Sequence, residues 1–210
     1  MSSLPIGLRR RRVVCLVTVA IGALVLAVSL RIPPGDPLFY PATFALAAVW
    51  VVGALASGPL RLTGAASDAR RLLLGSVLLG LCLAAAFLLG GLIVREVPAL
   101  DRQVGDVLEF AAEGPTALLL AITVVNGVAE EMFFRGAVYE ASPRYPIAIA
   151  TAVNVAVVAA SGNLMLAFAA VLLSVVVGWQ RRLTGGLLAP MLTHVTWSCA
   201  MLLVLPVIVS

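Results

Sequence analysis

The chain has no lysine, a single histidine and only 11% charged residues. Soluble domains carry charge on about a quarter of their residues, so this scarcity excludes an ordinary water-soluble fold. The net charge of +4 does not indicate nucleic-acid binding, because every basic residue is an arginine and most arginines lie at the ends of apolar segments. The cysteines, Cys15, Cys82 and Cys199, all lie inside apolar segments. Their spacing predicts neither a disulfide framework nor a CxxC metal site.

Long apolar runs take the place of the missing charge, with 62% hydrophobic residues in the whole chain. Runs of about 20 residues are long enough to cross about 30 Å of hydrocarbon. The sequence therefore predicts an all-α, polytopic membrane helix bundle of about seven transmembrane helices, built as a single membrane domain over residues 1–210. The predicted spans are residues 13–30, 38–57, 72–94, 116–139, 146–161, 163–180 and 187–209.

The distribution of arginines predicts the orientation of this bundle. Four arginines, Arg9 to Arg12, precede the first span, and the even-numbered loops hold most of the others, whereas the odd-numbered loops hold only Arg31, Arg95 and Arg102. Arginine-rich loops remain on the cytoplasmic side, so the N-terminus is expected to be cytoplasmic. An alternative is that Arg9 to Leu30 is a cleaved signal peptide. The even-numbered-loop arginines are Arg61, Arg70, Arg71, Arg144, Arg181 and Arg182.

The third loop, residues 95–114, has an apolar pattern of its own. Val97, Leu100, Val104, Val107 and Leu108 follow helical spacing, and acidic residues fall mostly on the other side. This pattern predicts either a short surface helix at the outer membrane interface or an ordinary solvated connector.

The stretch VAEEMFFRG places two glutamates and an arginine inside a predicted span. Each charge near the middle of a bilayer costs roughly 2.5–3.5 kcal/mol on insertion scales. Glu131 and Arg135 are four residues apart with the acid first, the favourable order for an ion pair within a helix. Glu130 points about 100° away, on a face shared with Asn126 and Phe134. A carboxylate without a counterion suits the role of a general base near neutral pH.

A structural alternative places this stretch at the cytoplasmic end of the helix. Arg135 would then extend its guanidinium to the membrane surface. Glu130 and Glu131 would only face the helix bundle.

The single histidine also lies inside a predicted span. His194 is expected roughly 10 Å from the cytoplasmic end of its helix, and Glu130 roughly 15 Å from the same side. Ionisable residues inside a membrane are costly and mark functional sites more often than packing. Ser198 lies one turn after His194 on the same face. We therefore expect Glu130, His194 and Ser198 to share one site.

These residues resemble the motifs of a known family, the CPBP intramembrane proteases. This group includes type II CAAX prenyl endopeptidases and bacterial proteins linked to bacteriocin processing or immunity. Its signature has the form EExxxR, then FxxxH, then HxxxN or a similar small polar residue. The first motif reads Glu130 to Arg135, followed by Gly136, and the third reads His194 to Ser198. The run VVVGWQRRLTGGLLAPMLTH between them also matches, so residues 116–210 resemble the protease core and residues 1–115 are family-neutral.

The resemblance implies a role for each residue of these motifs. Glu130 would be the general base that holds the hydrolytic water. His194 would bind a metal or donate a hydrogen bond to the water or oxyanion. Ser198 would replace the family's asparagine as an oxyanion donor, and Glu131 with Arg135 would brace the helix. A divalent metal, zinc, is implied as a cofactor with Glu130 and His194 as ligands. The substrate would be a peptide or membrane protein reached from the membrane or its cytoplasmic face.

The chain departs from the family at the second motif. Val157 stands in the position of the phenylalanine and Ser161 in that of the histidine. A zinc site normally has three protein ligands and a water. The residues considered as replacements for the missing histidine are Ser161, Asn163 and Asn154.

Three functions remain open on the sequence alone. The first is an intramembrane metalloendopeptidase of a bacterial plasma membrane. The second is a catalytically impaired relative that acts as a membrane binding, immunity or regulatory module, which the missing histidine favours. The third is a small transporter with a Glu-His proton relay, which does not explain the GW…TG…AP…H run.

Overall fold

The structure is a computed structural model that describes residues 6–64 and 68–209. Helices account for all the regular secondary structure of the described residues. The helices are α1 (Ile6–Ser29), α2 (Phe39–Ser57), α3 (Ala69–Val94), α4 (Pro98–Ala112), α5 (Thr116–Glu130), a π-helical segment (Glu131–Val138), α6 (Tyr139–Ala141), α7 (Pro146–Ala159), α8 (Leu164–Thr184) and α9 (Leu188–Val209).

Six helical stretches are long and apolar enough to cross a membrane. Together they confirm the predicted all-α polytopic bundle, and the chain is an integral membrane protein. The fourth stretch joins α5, the π-helical segment and α6 without a break. The six stretches are Gly7–Ser29, Phe39–Ser57, Ala69–Val94, Thr116–Ala141, Leu164–Thr184 and Leu188–Ile208.

The fifth of the seven predicted spans, residues 146–161, forms a helix that is too short to cross the membrane. Helix α7 has 14 residues and is about 21 Å long, which is shorter than the hydrocarbon layer. It nevertheless joins the two ends of the bundle. Ala141, just before α7, accepts a hydrogen bond from Arg12 at the N-terminal end. Asn163, just after α7, donates one to the Gln103 carbonyl in α4.

The third loop forms the predicted surface helix rather than a connector. Helix α4 is amphipathic, and none of its residues is buried. Its apolar residues Val107, Leu108 and Phe110 face a cavity between the helices. The helix therefore covers one end of the bundle instead of crossing it.

Aromatic and small residues hold the elements that carry the EExxxR motif. Trp50 of α2 stacks on Phe133 with ring centroids 4.9 Å apart, and lies 5.2 Å from Phe134. On the other side, α9 packs closely against α3. There the Thr193 hydroxyl donates to the Ser76 carbonyl at 3.0 Å, and the absence of a side chain at Gly80 allows the approach.

Candidate active site

The EExxxR motif lies across a junction between two kinds of helix. Helix α5 ends at Glu130, and the π-helical segment begins at Glu131 and contains Arg135. The sequence predicted one continuous α-helix here, and apolar periodicity carries no signal that separates the two forms. Short π-helical segments inside α-helices occur frequently at functional sites.

A buried charged cluster forms around the second glutamate. Glu131 Oε1 lies 3.3 Å from Arg135 Nη1 and 2.8 Å from His194 Nδ1. The exposed fractions are 0% for Glu131, 1% for Arg135 and 7% for His194. The structural alternative required Arg135 to extend to the membrane surface, and its burial shows that it does not. The ion pair matches the predicted spacing, whereas the contact with the histidine belongs to Glu131 rather than Glu130.

Arg135 and Glu131 form an ion pair without a hydrogen bond between them. Glu131 Oε2 and both terminal nitrogens of Arg135 are buried without a hydrogen-bond partner. The 3.3 Å separation in the ion pair is close, but the two groups are poorly aligned for a hydrogen bond. Leaving one partner of a buried pair alone is strongly destabilising, by about 3–5 kcal/mol. Glu131 therefore cannot readily leave this cluster for another role.

A glycine brings the histidine helix against the motif. Gly127 lies one turn before Glu131 on the face of α5 that meets α9. A Cβ at this position would lie 3.3 Å from Val195 Cγ2 and 3.7 Å from His194 Cδ2. The missing side chain thus sets how closely the imidazole approaches the Glu131 carboxylate. Gly127 was not among the residues predicted from the sequence, although its position four residues before Glu131 places it on the same face of the helix.

The first glutamate faces a cavity of about 410 Å³. Asn126, Glu130, His194 and Ser198 all line it, so four of the predicted site residues share one space. Most of the other lining residues are apolar. Among the described residues, Glu130 takes part in no ion pair. One glutamate is thus fixed by Arg135 and His194, and the other is available to a molecule in the cavity.

The three residues considered in place of the second-motif histidine have other partners. Asn154 donates to the Ser174 hydroxyl at 2.9 Å. The Ser161 hydroxyl accepts from the Asn163 backbone, and Asn163 caps α8. Ser161 and Asn163 line a second cavity of about 450 Å³ next to the first. None of the three lines the cavity that contains Glu130.

The donor set does not fit a zinc site of the usual kind. No group of three or more histidine, cysteine, aspartate or glutamate side chains suited to a metal occurs among residues 6–64 and 68–209. Glu131 is engaged by Arg135 and by Nδ1 of His194. That leaves Glu130 and Nε2 of His194, fewer than the three protein ligands that zinc normally has.

Arg181 does not lie in the cytoplasmic loop in which its charge predicted it. It lies in α8 and is only 4% exposed. Its Nε donates to the Arg135 carbonyl at 3.2 Å, and Nη2 lies 3.0 Å from Glu140 Oε1. Arg181 therefore ties α8 to the π-helical segment. Its helical spacing from the buried Ser174 and Val177 places Arg181 on the same inward face of α8.

Comparison with known proteins agrees with the resemblance inferred from the motifs. Residues 112–200 match the family described as type II CAAX prenyl endopeptidase Rce1-like. No curated protein matches the chain. No solved structure matches it either. The matched segment contains the EExxxR motif, Arg181 and His194, and nearly coincides with the part of the chain that resembles the protease core. The chain is thus similar, over residues 112–200, to the Rce1-like family of type II CAAX prenyl endopeptidases.

Proposed function

We propose that this protein is an intramembrane endopeptidase that hydrolyses a peptide bond with a water molecule activated by Glu130. The observation that carries the proposal is the different environment of the two glutamates. Glu131 is bound by Arg135 and His194, whereas Glu130 lines the cavity beside His194 without an ion pair. A general base needs this freedom to accept a proton.

The proposed reaction uses only the groups around this cavity. Glu130 takes a proton from a water molecule while the water oxygen attacks the carbonyl carbon of the scissile peptide. The C=O electron pair moves to the carbonyl oxygen. When the intermediate collapses, the C–N bond breaks and the proton held by Glu130 passes to the departing nitrogen. The products are a carboxyl group and an amine, and Glu130 is restored.

His194 would position the water in this scheme. A neutral His194 ring that donates its Nδ1 proton to the Glu131 carboxylate would have a lone pair on Nε2. Nε2 then suits accepting a hydrogen bond from the water whose other proton Glu130 removes. Ser198, one turn further along α9, would donate its hydroxyl to the developing oxyanion. Because two ligands do not make the usual zinc site, no step passes through a metal.

The family's printed description suggests the substrate class. The family is described as type II CAAX prenyl endopeptidase, and we propose a peptide with a large apolar group as the substrate of this chain. A mostly apolar cavity supports that choice, as does a neighbouring apolar cavity of about 340 Å³ lined by Phe87, Phe168 and Trp197. A bacterial plasma membrane is the proposed location, since the resemblance extends to bacterial members of the group.

A second function is favoured by one specific observation. The second-motif histidine is missing, and the only imidazole of the chain is already engaged by Glu131. The protein would then bind a peptide in the same cavity without turnover, as an immunity or regulatory module. The transporter alternative gains no support from the family match.

Mapping of newly formed N-termini in membranes separates these functions without a known substrate. We would express the wild type, Glu130→Gln and the control Glu109→Gln, which removes an exposed carboxylate of α4. An internally quenched CAAX peptide, with and without a farnesyl group, would be assayed in parallel. We expect N-termini that appear with the wild type and the control and disappear with Glu130→Gln. Identical N-termini in all three samples would favour the binding module.

A further inference from the structure

The cavity that contains Glu130 extends toward one end of the bundle only. Its lining includes Phe39 at the start of α2, Leu119 near the start of α5 and Leu205 near the end of α9. These positions lie together at the end covered by α4, whose Val107 and Phe110 also line the cavity. A molecule that reaches Glu130 through this space would therefore pass α4.

The opposite end of the bundle is closed beneath the charged cluster. The backbone of Leu187 donates to the Arg61 carbonyl at 3.0 Å, and that of Leu188 to the Leu62 carbonyl at 2.9 Å. Leu60 packs so closely on Gly136 that an added Cβ would lie 2.8 Å from its Cδ2 atom. The segment after α2 thus seals the π-helical segment from this side.

The two ends differ in charge. The closed end carries the arginines at the N-terminus, after α2 and between α6 and α7, whereas the end covered by α4 carries most of the acids. Arginine-rich ends remain in the cytoplasm. The end with the open cavity is then extracytoplasmic. The acids at this end are Asp36, Glu96, Asp101, Asp106, Glu109 and Glu113.

Hydrogen bonds at Gln103 join α4 to the start of α8, in addition to the packing of Phe110 on Phe39 of α2. Gln103 Oε1 accepts from the backbone nitrogens of Leu164 at 2.6 Å and Met165 at 3.3 Å. The Gln103 carbonyl accepts from the Asn163 side chain at 2.7 Å. These bonds satisfy donors in the first turn of α8, where no intrahelical acceptor exists. Because no residue of α4 is fully buried, displacing α4 would expose no fully buried side chain of this helix.

We propose that the substrate, an apolar peptide segment of a membrane or exported protein, reaches Glu130 from the extracytoplasmic face, past α4, and that Gln103 restrains this entrance. The identity of the occupant rests on the proposed endopeptidase function. The route itself rests only on the cavity, the seal and the arginines. It differs from the access from the membrane or its cytoplasmic face that the family resemblance implies.

Thiol labelling tests the route without any catalytic step. In a variant with Cys15, Cys82 and Cys199 replaced by serine, Thr123→Cys places a thiol in the cavity. Glu109→Cys on α4 and Leu62→Cys at the closed end mark the two faces, since both positions are exposed. Each variant would be treated with a membrane-impermeant maleimide in right-side-out and in inside-out vesicles. We expect Thr123→Cys and Glu109→Cys to react in right-side-out vesicles, and Leu62→Cys in inside-out vesicles.

Three results would overturn the route. In the first, Thr123→Cys reacts only in the inside-out vesicles in which Leu62→Cys reacts. In the second, Thr123→Cys reacts in neither preparation. In the third, Glu109→Cys reacts in inside-out vesicles. If Gln103 restrains the entrance, adding Gln103→Ala should raise the labelling rate of Thr123→Cys several-fold. Arg102 is an exposed neighbour of Gln103 on α4, and Arg102→Ala should leave the rate unchanged. Equal labelling rates of Thr123→Cys in the Gln103→Ala and Arg102→Ala variants would overturn the role of Gln103.

The outcomes separate the entrance from the chemistry. Labelling is measured in the Glu130→Gln background as well, where catalysis is removed but the cavity is kept. Extracytoplasmic labelling without Glu130-dependent cleavage retains the route and rejects the endopeptidase. Glu130-dependent cleavage with labelling from the closed end retains the endopeptidase and rejects the route.

Discussion

The Nδ1 atom of His194 lies 2.8 Å from Oε1 of Glu131, the second glutamate of the motif. Arg135 approaches the same oxygen at 3.3 Å. Glu131 therefore connects the motif helix to α9 and fixes the orientation of the imidazole. Glu130, one residue earlier, is left facing the cavity. Adjacent identical residues thus have different environments, and their substitutions should have different effects.

The first prediction concerns Glu130. Glu130→Gln should lower kcat/KM by about 10²–10⁴-fold, the usual contribution of a general base. Its thermal stability in detergent should match the wild type, because no ion pair is lost. Cleavage assays and thermal unfolding of the purified protein measure the two effects. Full activity in Glu130→Gln would remove Glu130 from the proposed mechanism.

The neighbouring glutamate should behave in the opposite way. Glu131→Gln leaves Arg135 buried without a counterion and should destabilise the fold by about 3–5 kcal/mol. The double variant Glu131→Gln/Arg135→Met removes both charges and should recover much of that loss. Thermal unfolding of the single and double variants measures the recovery. Equal stability of Glu131→Gln and wild type would contradict the ion pair.

Gly127→Ala should affect rate more than stability. The added methyl group lies 3.3 Å from Val195 and 3.7 Å from the His194 ring, so α9 must shift by a few tenths of an ångström. Since small misplacements reduce rates strongly, we expect about a tenfold lower kcat with little change in KM. Gly75→Ala is the control, because its methyl group meets no atom within 4 Å. An unchanged kcat would mean that α9 tolerates the shift.

A matched pair of glycines tests the α3–α9 interface. In Gly80→Ala the new Cβ would lie 2.8 Å from the Thr193 carbonyl and from Thr196 Cβ. Overpacking of this kind costs about 1–3 kcal/mol. Gly75→Ala, on the same helix with open space, should gain up to about 1 kcal/mol from helix propensity. Thermal unfolding in detergent should therefore rank Gly75→Ala above Gly80→Ala, and the reverse order would contradict the packing.

Adjacent arginines on α8 should also differ. Arg181→Gln loses the bonds to the Arg135 carbonyl and Glu140, and we expect a loss of about 1–3 kcal/mol, since a buried carbonyl loses its donor. Arg182 is exposed and lies over the Trp179 ring at 5.5 Å. Arg182→Gln should cost less than about 1 kcal/mol. Chemical or thermal unfolding of the two variants measures the difference, and equal losses would argue against a special role for Arg181.

Metal dependence can be tested on the purified protein. Because the described residues offer Glu130 and His194 but no third ligand, we expect a chelator to leave cleavage unchanged. Elemental analysis after dialysis should find no stoichiometric zinc. Activity that is lost with chelator and restored by zinc would instead assign a metal to Glu130 and His194.

Local sequence determined much of this protein. Apolar length specified the spans, because only a helix satisfies its own backbone in lipid. The four-residue spacing of Glu131 and Arg135 specified their ion pair, and the isolated His194 marked the second helix of the site. These features depend on neighbours along one helix, which the sequence displays directly.

The tertiary structure decided the rest. The sequence offered two glutamates for His194, and the packing of α9 against Gly127 selected Glu131. The charge of Arg181 predicted a loop residue, whereas its contacts show that it is buried and hydrogen-bonded to the Arg135 carbonyl. The direction in which the Glu130 cavity opens depends on α2, α4, α5 and α9 together. Such choices are made between residues distant in the chain, where periodicity and spacing carry no information.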